Sequence, residues 1–131
     1  MKLIDSRTVG ALTFDFYADA EENKAVVKIV YRETECWESR FETQHGQDVF
    51  DLLTDLEEND AIFLMVSAQT NWMKACDLYT RVPTEVFESL VDLDGRVFVL
   101  PDTLVDMETV DKDIREALEI MDNAVNTLTA E

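Results

Sequence analysis

The stretch Ala11-Leu12-Thr13-Phe14-Asp15-Phe16-Tyr17 puts Leu12, Phe14 and Phe16 on one side and Thr13, Asp15 and Tyr17 on the other. Successive side chains of a strand point to opposite faces, so this strict alternation predicts a half-buried β-strand. Asp19-Ala20-Glu21-Glu22-Asn23 then reads as a polar turn. A second strand is expected over residues 24–32, with Val27, Ile29 and Tyr31 facing one way and Lys28 and Arg32 the other. A third, over residues 37–43, sets Trp37 and Phe41 against Glu38, Arg40 and Glu42. An antiparallel meander is the simplest arrangement. Its outer face would interleave Lys28, Arg32 and Arg40 with Asp15, Glu38 and Glu42, so that cross-strand pairs largely neutralise one another.

Past Gly46 the period changes. Val49, Leu52, Leu53 and Leu56 recur at helical spacing and predict one amphipathic helix ending near Asp60. Asp48, Asp51, Asp55 and Glu58 follow the same spacing on another face. The run Ala61-Ile62-Phe63-Leu64-Met65-Val66 has strand length and reads as a strand buried on both sides. Residues 69–80 favour a helix through Trp72, Met73, Cys76 and Tyr79, although residues 77–82 also suit an extended segment ahead of Pro83. Pro83-Thr84-Glu85 has the form of a helix start, whereas Asp94-Gly95 is the strongest hairpin signal in the chain. Residues 96–100 read as a strand on either reading. The end is clearest: Val110, Ile114, Ala117, Leu118, Met121, Val125 and Leu128 form a helical stripe, with Thr109 or Asp106 to cap it. The expected fold is α+β, an antiparallel sheet of about four to six strands with about two or three amphipathic helices packed on it. A single domain over residues 1–131 is expected.

Leu93-Asp94-Gly95-Arg96-Val97-Phe98-Val99-Leu100, followed by Leu104 and a helix carrying Ala117-Leu118-Glu119, is similar to the end of type III secretion chaperone-like proteins. That resemblance covers about a third of the chain and implies a small acidic α+β dimer that clasps an extended client. The family opens with a helix and this chain opens with strands, so no client-binding position carries over.

A hydrophobic fraction of 47% supports a packed core and stands against disorder of the whole chain. Asp and Glu number 29 against 11 Lys and Arg, a net charge of −18. Direct binding to nucleic acid or to an anionic membrane needs a cationic footprint, so neither is expected. A high-salt habitat would also explain the acidity, but the 7 Phe, 5 Met and 2 Trp argue against the weaker core expected there. Cys36 and Cys76 fit no metal or redox spacing and read as free thiols in a reducing compartment. With no signal-peptide pattern and no apolar run of about 20 residues, the expected location is cytoplasmic.

Motifs that carry chemistry are missing. There is no phosphate-cradling glycine loop, no Gly-x-Ser-x-Gly and no HExxH, so no catalytic residue and no enzyme activity is expected. His45, the sole histidine, reads as a loop or helix-start residue. Asp55 opens a run like a calcium loop, but the sixth-position glycine is absent and Ser67 stands where a bidentate Glu belongs. No metal and no cofactor is therefore expected.

The charge has a location. Residues 1–45 carry a net −3 and residues 46–131 a net −15, and residues 48–60 hold six acids without a base. Acids three or four apart on a helix recur at roughly 5–6 Å, comparable to order of magnitude with successive phosphates. The expected partner is a basic protein surface, such as a nucleic-acid-binding protein or nuclease. Asp48, Asp51, Asp55 and Glu58 would form the main patch, with Glu116, Glu119 and Asp122 as a second. Nucleic-acid mimicry by phage-encoded counter-defence proteins is the functional analogy. An immunity protein against a basic toxin has the same signature. The chaperone alternative implies a homodimer that binds through Trp72, Phe87 or Phe98.

Overall fold

A computed structural model describes residues 1–42, 46–56, 58–99 and 107–129. It contains a four-stranded antiparallel sheet and four α-helices, an α+β fold. The chain forms two compact units, Met1–Glu57 and Glu58–Glu131.

The first unit is a meander, β1 (Lys2–Val9), β2 (Leu12–Asp19), β3 (Lys24–Tyr31) and β4 (Thr34–Glu42), in the spatial order of the sequence. The alternation of β2 survives intact: Leu12, Phe14, Phe16 and Ala18 are buried and the residues between them half-buried. Register then dictates the neighbouring faces. Phe14 pairs with Ile29 and Phe16 with Val27, while Ile29 pairs with Trp37 and Val27 with Ser39. Ser39 is buried, and its hydroxyl accepts the Trp37 indole N–H at 2.8 Å.

On the opposite face charge pairing is present, but of the expected partners only Arg40 and Glu38 meet among the described residues, and Arg32 falls in the turn after β3. Lys28 lies 3.4 Å from Glu35, and Arg40 reaches Asp19 at 3.0 Å, Glu22 at 2.8 Å and Glu38 at 3.1 Å. Lys24 and Glu42 add a looser pair at 3.8 Å. Asp15 accepts the Ser6 hydroxyl instead.

β1 precedes the first stretch that alternates clearly, and it is an edge. Its register shifts between Leu3 and Asp5, which turns Asp5 and Arg7 to the side of Phe16 and Phe14. The two charges pair with each other at 3.2 Å. A bulge and inward charges are features that discourage another strand from adding to an edge.

The β3–β4 turn is less relaxed. Tyr31 pairs with Thr34, leaving Arg32 (φ 50) and Glu33 (φ 65) as a two-residue turn in which both residues have positive φ. Such turns favour Asn-Gly, because Cβ is crowded in the left-handed region. Replacing both residues, Arg32→Asn with Glu33→Gly, should raise stability by about 1–2 kcal/mol in denaturant unfolding. No gain would show that the Arg32 guanidinium, 5.0 Å from the Tyr31 ring, compensates the strain.

Two parts of the expected layout change. The helix expected from Gly46 to near Asp60 is two helices: α1 (Val49–Thr54) ends at Asp55, and α2 (Glu58–Ala75) starts anew in the second unit. α1 packs on β1, β2 and β3 through Val49 and Leu53, whereas Leu52 is exposed. Each buried aliphatic is worth about 1.5–3 kcal/mol, so the sheet sets the angle at which α1 lies. The run Ala61–Val66, expected as a strand, lies inside α2. Six apolar residues suit a buried strand or a buried helix equally. Here Met65, Val66, Ser67, Ala68, Gln69 and Thr70 are all buried, so this middle part of the helix shows no exposed face.

In the second unit α2, a 3₁₀ turn (Leu78–Arg81), α3 (Thr84–Val99) and α4 (Met107–Thr129) pack on one another. Asp77, at φ 53, stops α2. The Pro83-Thr84-Glu85 start is realised, with the Pro83 carbonyl accepting from the Val86 and Phe87 N–H groups. α3 runs straight through Asp94-Gly95, so neither the hairpin nor the strand expected from residue 96 forms. A helix-interior glycine costs about 1 kcal/mol, less than tertiary packing supplies. Of the α4 stripe, Met121, Val125 and Leu128 are buried, while the side chains of Val110, Ile114, Ala117 and Leu118 lie outside the described set; Arg81 donates to the Leu128 carbonyl at 2.9 Å near the C-terminus of α4. Thr109 lies inside α4; Asp106, Leu104, Leu100 and His45 are outside the described residues. Among the described residues no helix is long and apolar enough to cross a membrane.

Candidate functional site

Among the described residues, several acids on the sheet are ion-paired, and others on α1 and α4 are not. On the sheet, Arg40 is the hub. Its hydrogen bond holds the Asp19 carboxyl below the ordinary value near 3.8, reinforced by the Glu22 and Glu21 N–H groups that the same carboxylate accepts. The same pair holds the guanidinium still more firmly protonated. A carboxyl lowered by folding stabilises the fold above its unfolded pKa, and that contribution fades as pH falls through the folded value. Acid unfolding below about pH 4 should therefore shift to higher pH in Arg40→Gln, which also releases Glu22 and Glu38, and in Asp19→Asn. Acid midpoints followed by circular dichroism check this; an unmoved midpoint in both variants would remove the Asp19–Arg40 pair as a cause.

The second kind lies on α1 and α4. Asp48 is the N-cap of α1, its Oδ1 accepting the Asp51 N–H at 3.1 Å. Asp51 and Asp55 point to solvent on the side of α1 away from the buried Val49 and Leu53. Asp55 closes the helix, its N–H donating to the Asp51 carbonyl. Glu58 begins α2 and so leaves the row that the spacing placed on one helix. The sequence-predicted first patch is thus Asp48, Asp51 and Asp55 in one unit, with Glu58 in the other. On α4, Glu116 and Glu119 are exposed, and Asp122 is half-buried with the Asn126 amide 3.4 Å from its Oδ2. These three recur at i, i+3 and i+6, one side of a helix. Asp51, Asp55, Glu116 and Glu119 have no ion-pair partner among the described residues.

Asn23 fixes where the α1 acids stand. At φ 52, it donates from Nδ2 to the Gln47 carbonyl at 2.8 Å and accepts the Val49 N–H on Oδ1 at 3.0 Å. The β2–β3 turn therefore holds the chain at the entry to α1. Beside this clamp the Lys2 ammonium sits 4.9 Å from the centre of the Phe50 ring, which is 41% exposed. Phe50 was not among the residues singled out from the sequence. The available signal is that it falls off the Val49, Leu53 stripe and directly before Asp51.

Among the described residues no group of three His, Cys, Asp or Glu could hold a metal ion. Cys36 is half-buried and Cys76 exposed, and both are free thiols. Of the residues that a chaperone reading would use, Trp72 and Phe87 are half-buried, with Phe87 5.1 Å from the Tyr79 ring. Phe98 lies on α3, its side chain outside the described set.

Comparison with family models, curated proteins and solved structures gave no match to this chain.

Proposed function

We propose that this chain is a non-enzymatic acidic binding protein that engages a basic protein surface, acting as an inhibitor of a nucleic-acid-handling protein through charge mimicry. One observation supports the reading most: among the described residues, carboxylates on the sheet are ion-paired, whereas Asp51, Asp55, Glu116 and Glu119 on α1 and α4 are not. Where the chain needs its acids for the sheet, it supplies Lys24, Lys28 and Arg40 beside them. On α1 and α4 it presents Asp51, Asp55, Glu116 and Glu119 without such partners among the described residues. Solubility alone requires net charge but no segregation. A surface that accepts phosphates at intervals of a few ångströms would accept carboxylates at helical spacing.

The test uses the untagged chain, immobilised, as bait for capture from its native cell extract, followed by mass spectrometry. The reading expects a nucleic-acid-binding protein that is retained at about 50 mM salt, weakened at about 200 mM, and released by added nucleic acid. A bait carrying Asp51→Lys and Asp55→Lys should lose it while keeping its circular dichroism spectrum. Partners held equally by both baits at both salts would overturn the reading.

A further inference from the structure

The first unit contains a cleft of about 360 Å³ where the start of β1, the end of β2 and the entry to α1 meet. Its walls mix three chemistries: small and aliphatic residues (Ala18, Ala20, Val49), the exposed ring of Phe50, and the carboxylate of Asp48. Lys2 is also in the wall and already lays its ammonium on the Phe50 ring at 4.9 Å. The geometry points to this cleft as the seat of one arginine side chain of the basic partner, which displaces Lys2 from Phe50. This inference rests on the proposed acidic binding face and names the chemistry of its central contact.

The complementarity is in the sequence of layers. Arginine has an aliphatic stem and a flat charged head that stacks on aromatic faces and binds carboxylates side-on. Ala18 and Val49 are buried and form an apolar floor for the stem. Phe50 offers a ring whose face attracts cations, and Lys2 shows that a cation is accommodated there. Asp48 uses Oδ1 for its cap and keeps a second oxygen for the guanidinium. Asp19 also lines the cleft but is held by Arg40, so the recognising carboxylate is Asp48. Asp51 and Asp55 lie outside the lining, on the solvent side of α1. An aromatic anchor surrounded by polar residues is how binding energy concentrates in protein interfaces.

The probe is a tri-arginine peptide blocked at both ends, titrated into the untagged ¹⁵N-labelled chain, with tri-lysine as the charge-matched comparison. Saturable shifts are expected at the Ala18, Val49 and Phe50 amides, with tri-arginine bound more tightly than tri-lysine. Phe50→Leu keeps apolar bulk and should weaken tri-arginine about threefold, the scale of one exposed cation–π contact. Asp48→Asn keeps an N-cap residue of equal quality and should weaken binding severalfold. Asp51→Asn removes the same charge outside the cleft and should leave the cleft shifts in place. Lys2→Gln should tighten binding by removing the resident cation. The cleft assignment is overturned if Phe50→Leu binds like the parent, if Asp51→Asn matches Asp48→Asn, or if the shifts centre on Glu116–Asp122. That last result leaves the acidic-face reading standing, whereas no saturable shift at any amide overturns both.

Discussion

Gln69→Met should raise the stability of this protein, against the usual direction of a core substitution. Gln69 is fully buried in α2, and among the described residues neither its Nε2 nor its Oε1 has a hydrogen-bond partner. An amide taken from water without compensation costs about 1–3 kcal/mol. Methionine has nearly the same length without the forked end, is as good a helix former, and removes both polar atoms. A gain of about 1–2 kcal/mol is expected, which for a chain of this size moves Tm by several degrees. Gln69→Glu should do the opposite, because a carboxyl in the same place must stay protonated or be buried charged. Urea unfolding of the three proteins decides it. A Met variant less stable than the parent would mean that the amide is satisfied in solution, by a bound water or by a change in α2, and would sink the argument.

The same helix shows where local pattern stops being informative. Alternation in residues 11–17 settled β2, and the same period gave the shared face of Val27 and Ile29 on β3 and of Trp37 and Phe41 on β4, but not the start of β4 at Thr34. α4 was equally legible, its stripe being one-sided. The run Ala61–Val66 was not, because a helix segment with no exposed face has no polar side to mark its period. Asp94-Gly95 misled for another reason: a turn signal is a local preference of about 1 kcal/mol, and the packing of α3 outweighs it. The Arg32-Glu33 turn is the converse, a tight turn with no turn residues in it. For the site, the sequence supplied the identities and exposure of Asp48, Asp51, Asp55, Glu116 and Glu119. It could not supply the break at Asp55 that sends Glu58 into the other unit, since that depends on how α1 meets the sheet. Nor could it place Phe50 beside Lys2, which are far apart in sequence.

Loss of the Asn23 side chain should be a severely damaging polar substitution in the first unit, and it should strike the acidic face through the fold. Three effects fall together in Asn23→Ala. The Gln47 carbonyl loses a donor at 2.8 Å, and the Val49 N–H loses its acceptor at 3.0 Å. Val49 is 1% exposed, and its N–H is a first-turn donor that no helix carbonyl can satisfy. The backbone at φ 52 also becomes unfavourable, since alanine tolerates the left-handed region less well than asparagine. Together these amount to about 2–4 kcal/mol, a large share of a typical total. Companion substitutions separate the causes. Asn23→Gly relieves the backbone but not the hydrogen bonds, and should recover roughly 1 kcal/mol of the loss. Asn23→Asp keeps the acceptor for Val49 and removes the donor to Gln47, so it should fall between Gly and the parent. Hydrogen exchange gives the site-specific reading: the Val49 amide should lose protection in Asn23→Ala and Asn23→Gly but keep most of it in Asn23→Asp. Because α1 enters through this clamp, Asn23→Ala should also weaken capture of a basic partner although it removes no charge. Unchanged exchange at Val49 in all three variants would show that α1 is positioned by Val49 and Leu53 alone.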